Sequence, residues 1–233
     1  MDHAICVLER AGYQILHEPC ESVTHLLLPV PSFTAEGCVH GGGDLNDLLK
    51  QLPKDICVIG GNLIHPTLSE YNTIDLLQDP IYLAKNANIT AHCAIRLAMQ
   101  NLPCILEDCS VLVVGWGRIG KCLAKLLRQL GSNVTVSARK PSDRAILEAL
   151  GYRTISPEDI QPTNFRLIYN TAPVMLLPKC TGNALKIDLA SKPGIESNDV
   201  LWARGLPGKD APESSGILIA NTIIDILRKE QAL

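Results

Sequence analysis

Four apolar residues, Val111-Leu-Val-Val114, stand together without a polar interruption, and beyond them the pattern changes period. A short run of mostly β-branched residues predicts a strand buried on both faces. From residue 121 to residue 130 the apolar positions are Cys122, Leu123, Leu126, Leu127 and Leu130, which share one face of a helix. Between strand and helix lies Gly115-Trp116-Gly117-Arg118-Ile119-Gly120, a G-x-G-x-x-G turn in the context that gives it meaning. Gly115 permits the tight turn, Gly117 lets backbone approach a pyrophosphate, and Gly120 lets the helix pack closely on the strand. Backbone N–H groups and the positive end of the helix dipole then face the phosphates. A dinucleotide site is expected here.

The same alternation of periods runs through the chain. Before the turn, helical patterns are predicted over residues 4–11, 44–52, 66–71 and 86–101, with Asp44 as a cap for the second. Strands are predicted over 13–17, 23–30, 55–59 and 73–77. After it, strands are predicted over 133–137, 153–155, 165–169, 184–189 and 200–203, with helices over 144–150 and 214–228. Strands alternating with helices at short spacing argue a parallel sheet. We therefore expect an α/β protein with two doubly wound parallel-sheet domains. Residues 1–87 form a flavodoxin-like domain, and residues 88–233 a Rossmann dinucleotide-binding domain with connecting helices. The chain opens in a helix, where a doubly wound domain normally opens with a strand, so the first domain is expected to lack its first strand.

Composition narrows the class. Aromatic residues are only 4% against 46% hydrophobic, so the core must be aliphatic. A net charge of −3, with both signs spread along the chain, points away from nucleic acid or a membrane surface as partner. No apolar run reaches the roughly 18 residues of a membrane span. The nine cysteines are scattered, without a C-x-x-C pair, and the six histidines have no ligand spacing with them. Reduced thiols, no metal site and a cytoplasmic location are the expectation.

Candidate chemistry lies at the strand ends, where such folds bind ligands. The strand 133–137 delivers Ser137, Arg139, Lys140 and, one turn on, Arg144, with no carboxylate to take a ribose 2′-hydroxyl. Guanidinium can grip a 2′-phosphate by two parallel hydrogen bonds, so NADP is expected over NAD. Asn170-Thr171-Ala172-Pro173 ends the fourth strand, and Asn170 and Thr171 are candidates for the nicotinamide ribose or substrate. Ser191-Lys192-Pro193-Gly194 follows the fifth, with Lys192 as a carboxylate holder. Asp188 comes inside that strand, and a structural role for it is as plausible as a catalytic one. Leu206-Pro207-Gly208 follows the sixth strand. His92, on the helix 86–101, is a candidate proton carrier, and Ser32 a candidate on the first domain.

At these residues the sequence resembles the A subunits of dipicolinate synthase. The resemblance spans nearly the whole chain. It is carried by Gly115-x-Gly117-Arg-x-Gly120, Ala138-Arg139, Asn170-Thr171-x-Pro173, Asp188-Leu-Ala-Ser-Lys-Pro-Gly194 and Gly205-Leu-Pro-Gly-x-x-Ala-Pro212. In the first half it is looser, through Leu28-Pro-Val-x-Ser32 and the helix after Thr90, which joins the substrate candidates. The resemblance implies a two-domain dehydrogenase-like protein with a nicotinamide cofactor. The implied reaction forms pyridine-2,6-dicarboxylate, for the bacterial spore core, from a cyclic dihydro- or hydroxytetrahydrodipicolinate. It also implies a small dicarboxylate substrate and a flavoprotein-like second subunit, and we expect a homo-oligomer. Lys192 stands where this family tends to have arginine, and Ile195 where a second glycine is usual. The N-terminus is also shorter than the family's.

Two other classes remain open at the level of sequence. One is a non-catalytic nucleotide-binding or regulatory subunit, active only with its partner, since no motif contains an unambiguous acid–base residue. The other is a methyltransferase, which has a Gly-rich first turn but wants an acid ending its second strand, where this chain has Ser137-Ala138-Arg139.

Overall fold

The computed structural model describes residues 2–230. The chain divides into two compact units, one built from the segment up to Asn86 together with the segment from Pro212 onward, the other from Ala87–Ala211.

The first unit contains helix α1 (Asp2–Arg10), strands β1 (His25–Leu27), β2 (Cys57–Gly60) and β3 (Asn72–Asp75), and the short helix α2 (Leu45–Leu49). Its three strands form a parallel sheet in the order β1-β2-β3. Asp44 caps α2 as expected, accepting from the N–H groups of Asn46 and Asp47. Leu28, Leu45, Leu49, Ile56, Val58 and Leu68 build its core. Two expectations need correction. Residues 13–17, predicted as a strand, pair with nothing and remain irregular, and the strand predicted over 23–30 keeps only its middle. The piece predicted over 66–71 is a single 3-10 turn, Pro66–Leu68.

The second unit contains the C-terminal part of α3 (Pro80–Asn101), strands β4 (Ser110–Val114), β5 (Asn133–Ser137), β6 (Arg153–Ile155), β7 (Leu167–Asn170), β8 (Leu185–Asp188) and β9 (Val200–Trp202), and helices α4 (Arg118–Gln129), α5 (Pro141–Ala149) and α6 (Leu206–Asp210). All six strands are parallel, in the order β6-β5-β4-β7-β8-β9. That is the doubly wound order in which the chain reverses direction between β4 and β7. Successive side chains of β4 feed opposite layers, as a period of two requires. Val111 and Val113 join the core under α3 and α4, whereas Leu112 and Val114 join a second cluster with Ile168, Leu177 and Ile195. All four are fully buried, and each such side chain contributes about 1.5–3 kcal/mol. Tyr169 ties β7 to α3, donating from its hydroxyl to the Ala94 carbonyl at 2.9 Å, and burial pushes its phenol well above the ordinary range.

The closing helix α7 (Pro212–Glu230) was expected with the second domain but belongs with the first unit. Gly216 gives the reason. A Cβ there would stand 2.7 Å from the Cβ of His3 and 2.9 Å from the backbone nitrogen of Ala4. Only the bare backbone lets α1 close on α7, and no apolar count along the helix reveals that partner.

Among the described residues no helix is long and apolar enough to cross a membrane, and no cluster of three potential metal ligands forms.

Candidate dinucleotide and substrate site

The carboxyl edge of the six-stranded sheet gathers most of the residues singled out from sequence. β4 ends at Val114, and Gly115 turns the chain with φ +102°, a left-handed conformation that side chains rarely adopt. A Cβ on Gly120 would lie 2.1 Å from the Gly115 carbonyl oxygen, so helix and turn touch only because neither carries a side chain. Gly117 differs. A Cβ built there meets no protein atom within 4 Å, and Gly117 caps α4 without any side-chain hydrogen bond. The first N–H groups of α4 are thus left for an anion, in a place that the protein's own atoms do not fill. This is the geometry a pyrophosphate needs. Trp116 is half-buried, packing edge-on to Tyr152 at 5.9 Å, while Ile119 packs against the core and Arg118 is exposed.

β5 lies beside β4 with Ser137 opposite Val114. The Ser137 carbonyl accepts from the Gly115 N–H at 2.9 Å, and its hydroxyl is buried without a hydrogen-bond partner. Arg139 and Lys140 follow, both exposed and without side-chain partners among the described residues. Arg144 behaves differently from the expectation of a phosphate ligand. Its Nη1 donates to the carbonyls of Ala138 (2.7 Å) and Arg139 (3.0 Å), so it braces the turn that presents Arg139.

On the other side of β4, the groups at the end of β7 are spent inside the protein. Thr171 donates from Oγ1 to the Val114 carbonyl at 2.9 Å, fastening β7 to the glycine turn. Asn170 is fully buried. Its amide nitrogen donates to Asp188 Oδ1 (2.9 Å) and the Ala172 carbonyl (3.0 Å), and its oxygen accepts from the Ala172 N–H (3.1 Å). Neither side chain is presented to a ligand as the sequence reading expected. Both shape the backbone of Ala172 and Pro173.

Asp188 shows why the next loop holds its course. The carboxylate accepts from Asn170, from the N–H groups of Ala190 (3.0 Å) and Ile195 (3.2 Å), and from that of Gly194 at 2.7 Å. Of the two roles left open for Asp188, the structural one fits these bonds. Gly194 must be bare, since a Cβ would stand 2.3 Å from the Asn170 amide nitrogen. The loop so held exposes Ser191, Lys192 and Pro193.

Leu206 is buried in the core, so its side chain is unavailable to substrate, while Gly208 is exposed beside the half-buried Pro207. His92 is exposed on α3 in this unit, and Thr90 is nearly buried on the same helix. Ser32 lies in the other unit and is fully buried. Its hydroxyl donates to the Pro29 carbonyl (2.8 Å) and accepts from the Gly61 N–H (3.0 Å), a clasp between β1 and β2 segments that leaves nothing for a ligand. Sequence reasoning missed Trp202. Its half-exposed indole is anchored by an Nε1–H donation to the Ala190 carbonyl (3.1 Å), with the Arg204 guanidinium 5.6 Å from the ring. An aromatic residue at the carboxyl end of a strand was the available signal.

No protein-family model matches the chain. It is 28% identical over 240 residues to the A subunit of dipicolinate synthase from Bacillus subtilis (strain 168), covering 92% of this chain and 81% of that one. The crystal structure of the Bacillus subtilis A subunit superposes with a TM-score of 0.76 at 26% identity, over 93% of this chain and 81% of the other. The chain belongs to the family of dipicolinate synthase A subunits. The Bacillus halodurans member of that family matches with a TM-score of 0.77 at 22% identity, covering 92% of this chain and 83% of that chain. A transhydrogenase from Sinorhizobium meliloti shares the fold alone, at 14% identity and a TM-score of 0.71, over 95% and 79% of the two chains. The family thus sits within a dehydrogenase-type architecture, and the glycine turn at β4 occupies the expected place in it.

Proposed function

We propose that this chain is an NADP-dependent oxidoreductase that forms pyridine-2,6-dicarboxylate from a cyclic dihydro- or hydroxytetrahydrodipicolinate. The observation that carries the cofactor reading is the pairing of an uncapped α4 start at Gly117 with a β5 end that presents Arg139 and Lys140 and no carboxylate. Arg144 supports it indirectly by bracing Arg139, and the unpartnered Ser137 hydroxyl has one donor to give. The residues present fit a dinucleotide carrying a 2′-phosphate. When bound, the nicotinamide accepts a hydride, and aromaticity of the product ring supplies the driving force.

The chain's own work is positioning. The Gly117–Gly120 amides hold the pyrophosphate. The backbone of Ala172 and Pro173, fixed by Asn170 and Thr171, borders the reacting face. Lys192, on the loop that Asp188 organises, meets a substrate carboxylate, and a lysine gives a point charge there and not the planar fork of arginine. His92 is the candidate carrier for the proton released from the ring. The Bacillus subtilis relative is one component of a synthase with more than one kind of chain, which supports a second, different chain as partner. We place the reaction in the cytoplasm.

The exclusive internal use of Asn170, Thr171 and Asp188 favours one further reading, a nucleotide-binding subunit that reacts only with its partner. Calorimetric titration of the isolated chain separates the readings. NADP should bind more tightly than NAD, and Arg139→Ala should weaken NADP by about 10–100-fold, the range of one or two charge-assisted bonds, while leaving NAD nearly unchanged. Tighter binding of NAD by the unsubstituted chain would end the NADP assignment. Cofactor binding without reduction on adding substrate, restored by a second subunit, would favour the other reading.

A further inference from the structure

The first unit has a groove of about 660 Å³ that the proposed reaction does not use. One bank is β1. In the parallel register with β2, Thr24 accepts from the Cys57 N–H and Leu28 donates to the Ile59 carbonyl. Alternation then turns the N–H and C=O groups of His25 and Leu27 away from β2, and no strand lies on that side. The other bank is the segment Tyr13–Pro19. Its pattern predicts a strand, yet Gln14 to Glu18 make no backbone hydrogen bond among the described residues. Ile5 and Leu8 of α1 and Ile223 and Leu227 of α7 also line the groove. Two rows of bare backbone dipoles therefore face an apolar-lined channel, and both rows lack the same thing.

We propose that this groove is a strand slot. Its occupant is an extended, proline-free segment of β-branched apolar residues that runs parallel to β1 and is joined ahead of α1. The backbone chemistry follows from the two banks, because each N–H and C=O of His25 and Leu27 is answered only by another strand. The apolar character follows from the isoleucines and leucines along the channel. The covalent source follows from topology. Strand, α1 and β1 then form one βαβ unit, whose parallel strands need a helical crossover of the length α1 supplies. A strand in the slot also gives residues 13–17 the neighbour that their sequence calls for.

The test appends roughly seven Val, Ile and Thr residues, a common strand length, through a short glycine-containing turn ahead of Asp2 of the full chain. A control carries proline at alternate positions of the same segment. Amide exchange is followed at His25 and Leu27, and at Gln14 to His17. The strand-forming fusion should slow exchange at His25 and Leu27 by about tenfold or more relative to the unfused chain, and the proline control should not. Equal exchange in all three proteins, or equal slowing by both fusions, would overturn the slot. Protection by the same peptide added free, with none in the fusion, would overturn the covalent source.

Discussion

Asn170 and Asp188 stand opposite one another on neighbouring parallel strands, joined by a 2.9 Å hydrogen bond in the interior of the sheet's carboxyl edge. From this pair the two loops that border the candidate site are held. Asn170 closes the turn at Ala172, and Asp188 gathers the N–H groups of Ala190, Gly194 and Ile195. The strand ends are thus fixed before any ligand arrives, and orientation comes without side chains that touch the ligand.

Asp188→Ala should destabilise the protein by about 3 kcal/mol or more. Three buried backbone donors and the Asn170 amide lose their acceptor together, at about 1 kcal/mol or more each. Urea denaturation measures the loss, and amide exchange over residues 189–195 should quicken ahead of that over β4. Uniform acceleration across the sheet would show that Asp188 supports the fold at large and not this loop.

The two inner glycines of the turn should separate folding from binding. Gly117→Ala adds a methyl group where no protein atom lies within 4 Å, so stability should change by less than about 1 kcal/mol while dinucleotide affinity falls tenfold or more. Gly120→Ala drives a Cβ against the Gly115 carbonyl and should lower the thermal midpoint as well as affinity. Undiminished NADP affinity in folded Gly117→Ala would remove the pyrophosphate from this turn.

Much of this was legible in the sequence because local pattern and tertiary role agree. Val111–Val114 reads as a doubly buried strand and is one, and the G-x-G-x-x-G spacing sits between β4 and α4 as its mechanics demand. The misreadings share a physical cause. Asn170, Thr171, Ser32 and Arg144 are polar residues at strand ends or turns, and their type cannot tell whether a backbone carbonyl or a ligand takes the hydrogen bond. The answer depends on neighbours far along the chain, Asp188 for Asn170 and Gly61 for Ser32. The α7 helix failed for the same reason, because its partner face on α1 lies some two hundred residues away, at His3. Residues 13–17 have the strand pattern without a partner to pair with, and pattern alone does not make a ladder.

A last prediction concerns the far side of the second unit, where Lys186 is wholly buried and its Nζ donates to both oxygens of Asp199 at 2.9 Å and to the Gly182 carbonyl. The hydroxyl of Ser197 and then the Lys186 ammonium hold the Asp199 carboxyl below its ordinary value. A carboxylate whose folded pKa is depressed contributes stability that is fully present above its unfolded value, about 3.9, and is lost as pH falls through the folded one. Asp199→Asn keeps an acceptor but not the charge, so at pH 7 it should cost about 1–2 kcal/mol, kept modest by the exposure of the carboxylate. Urea midpoints of the two proteins should converge as pH is lowered from 5 to below 3, because the unsubstituted carboxyl then becomes neutral as well. A gap that stays constant across that range would mean that the charge on Asp199 does nothing for the fold, and that Lys186 is held by hydrogen bonding alone.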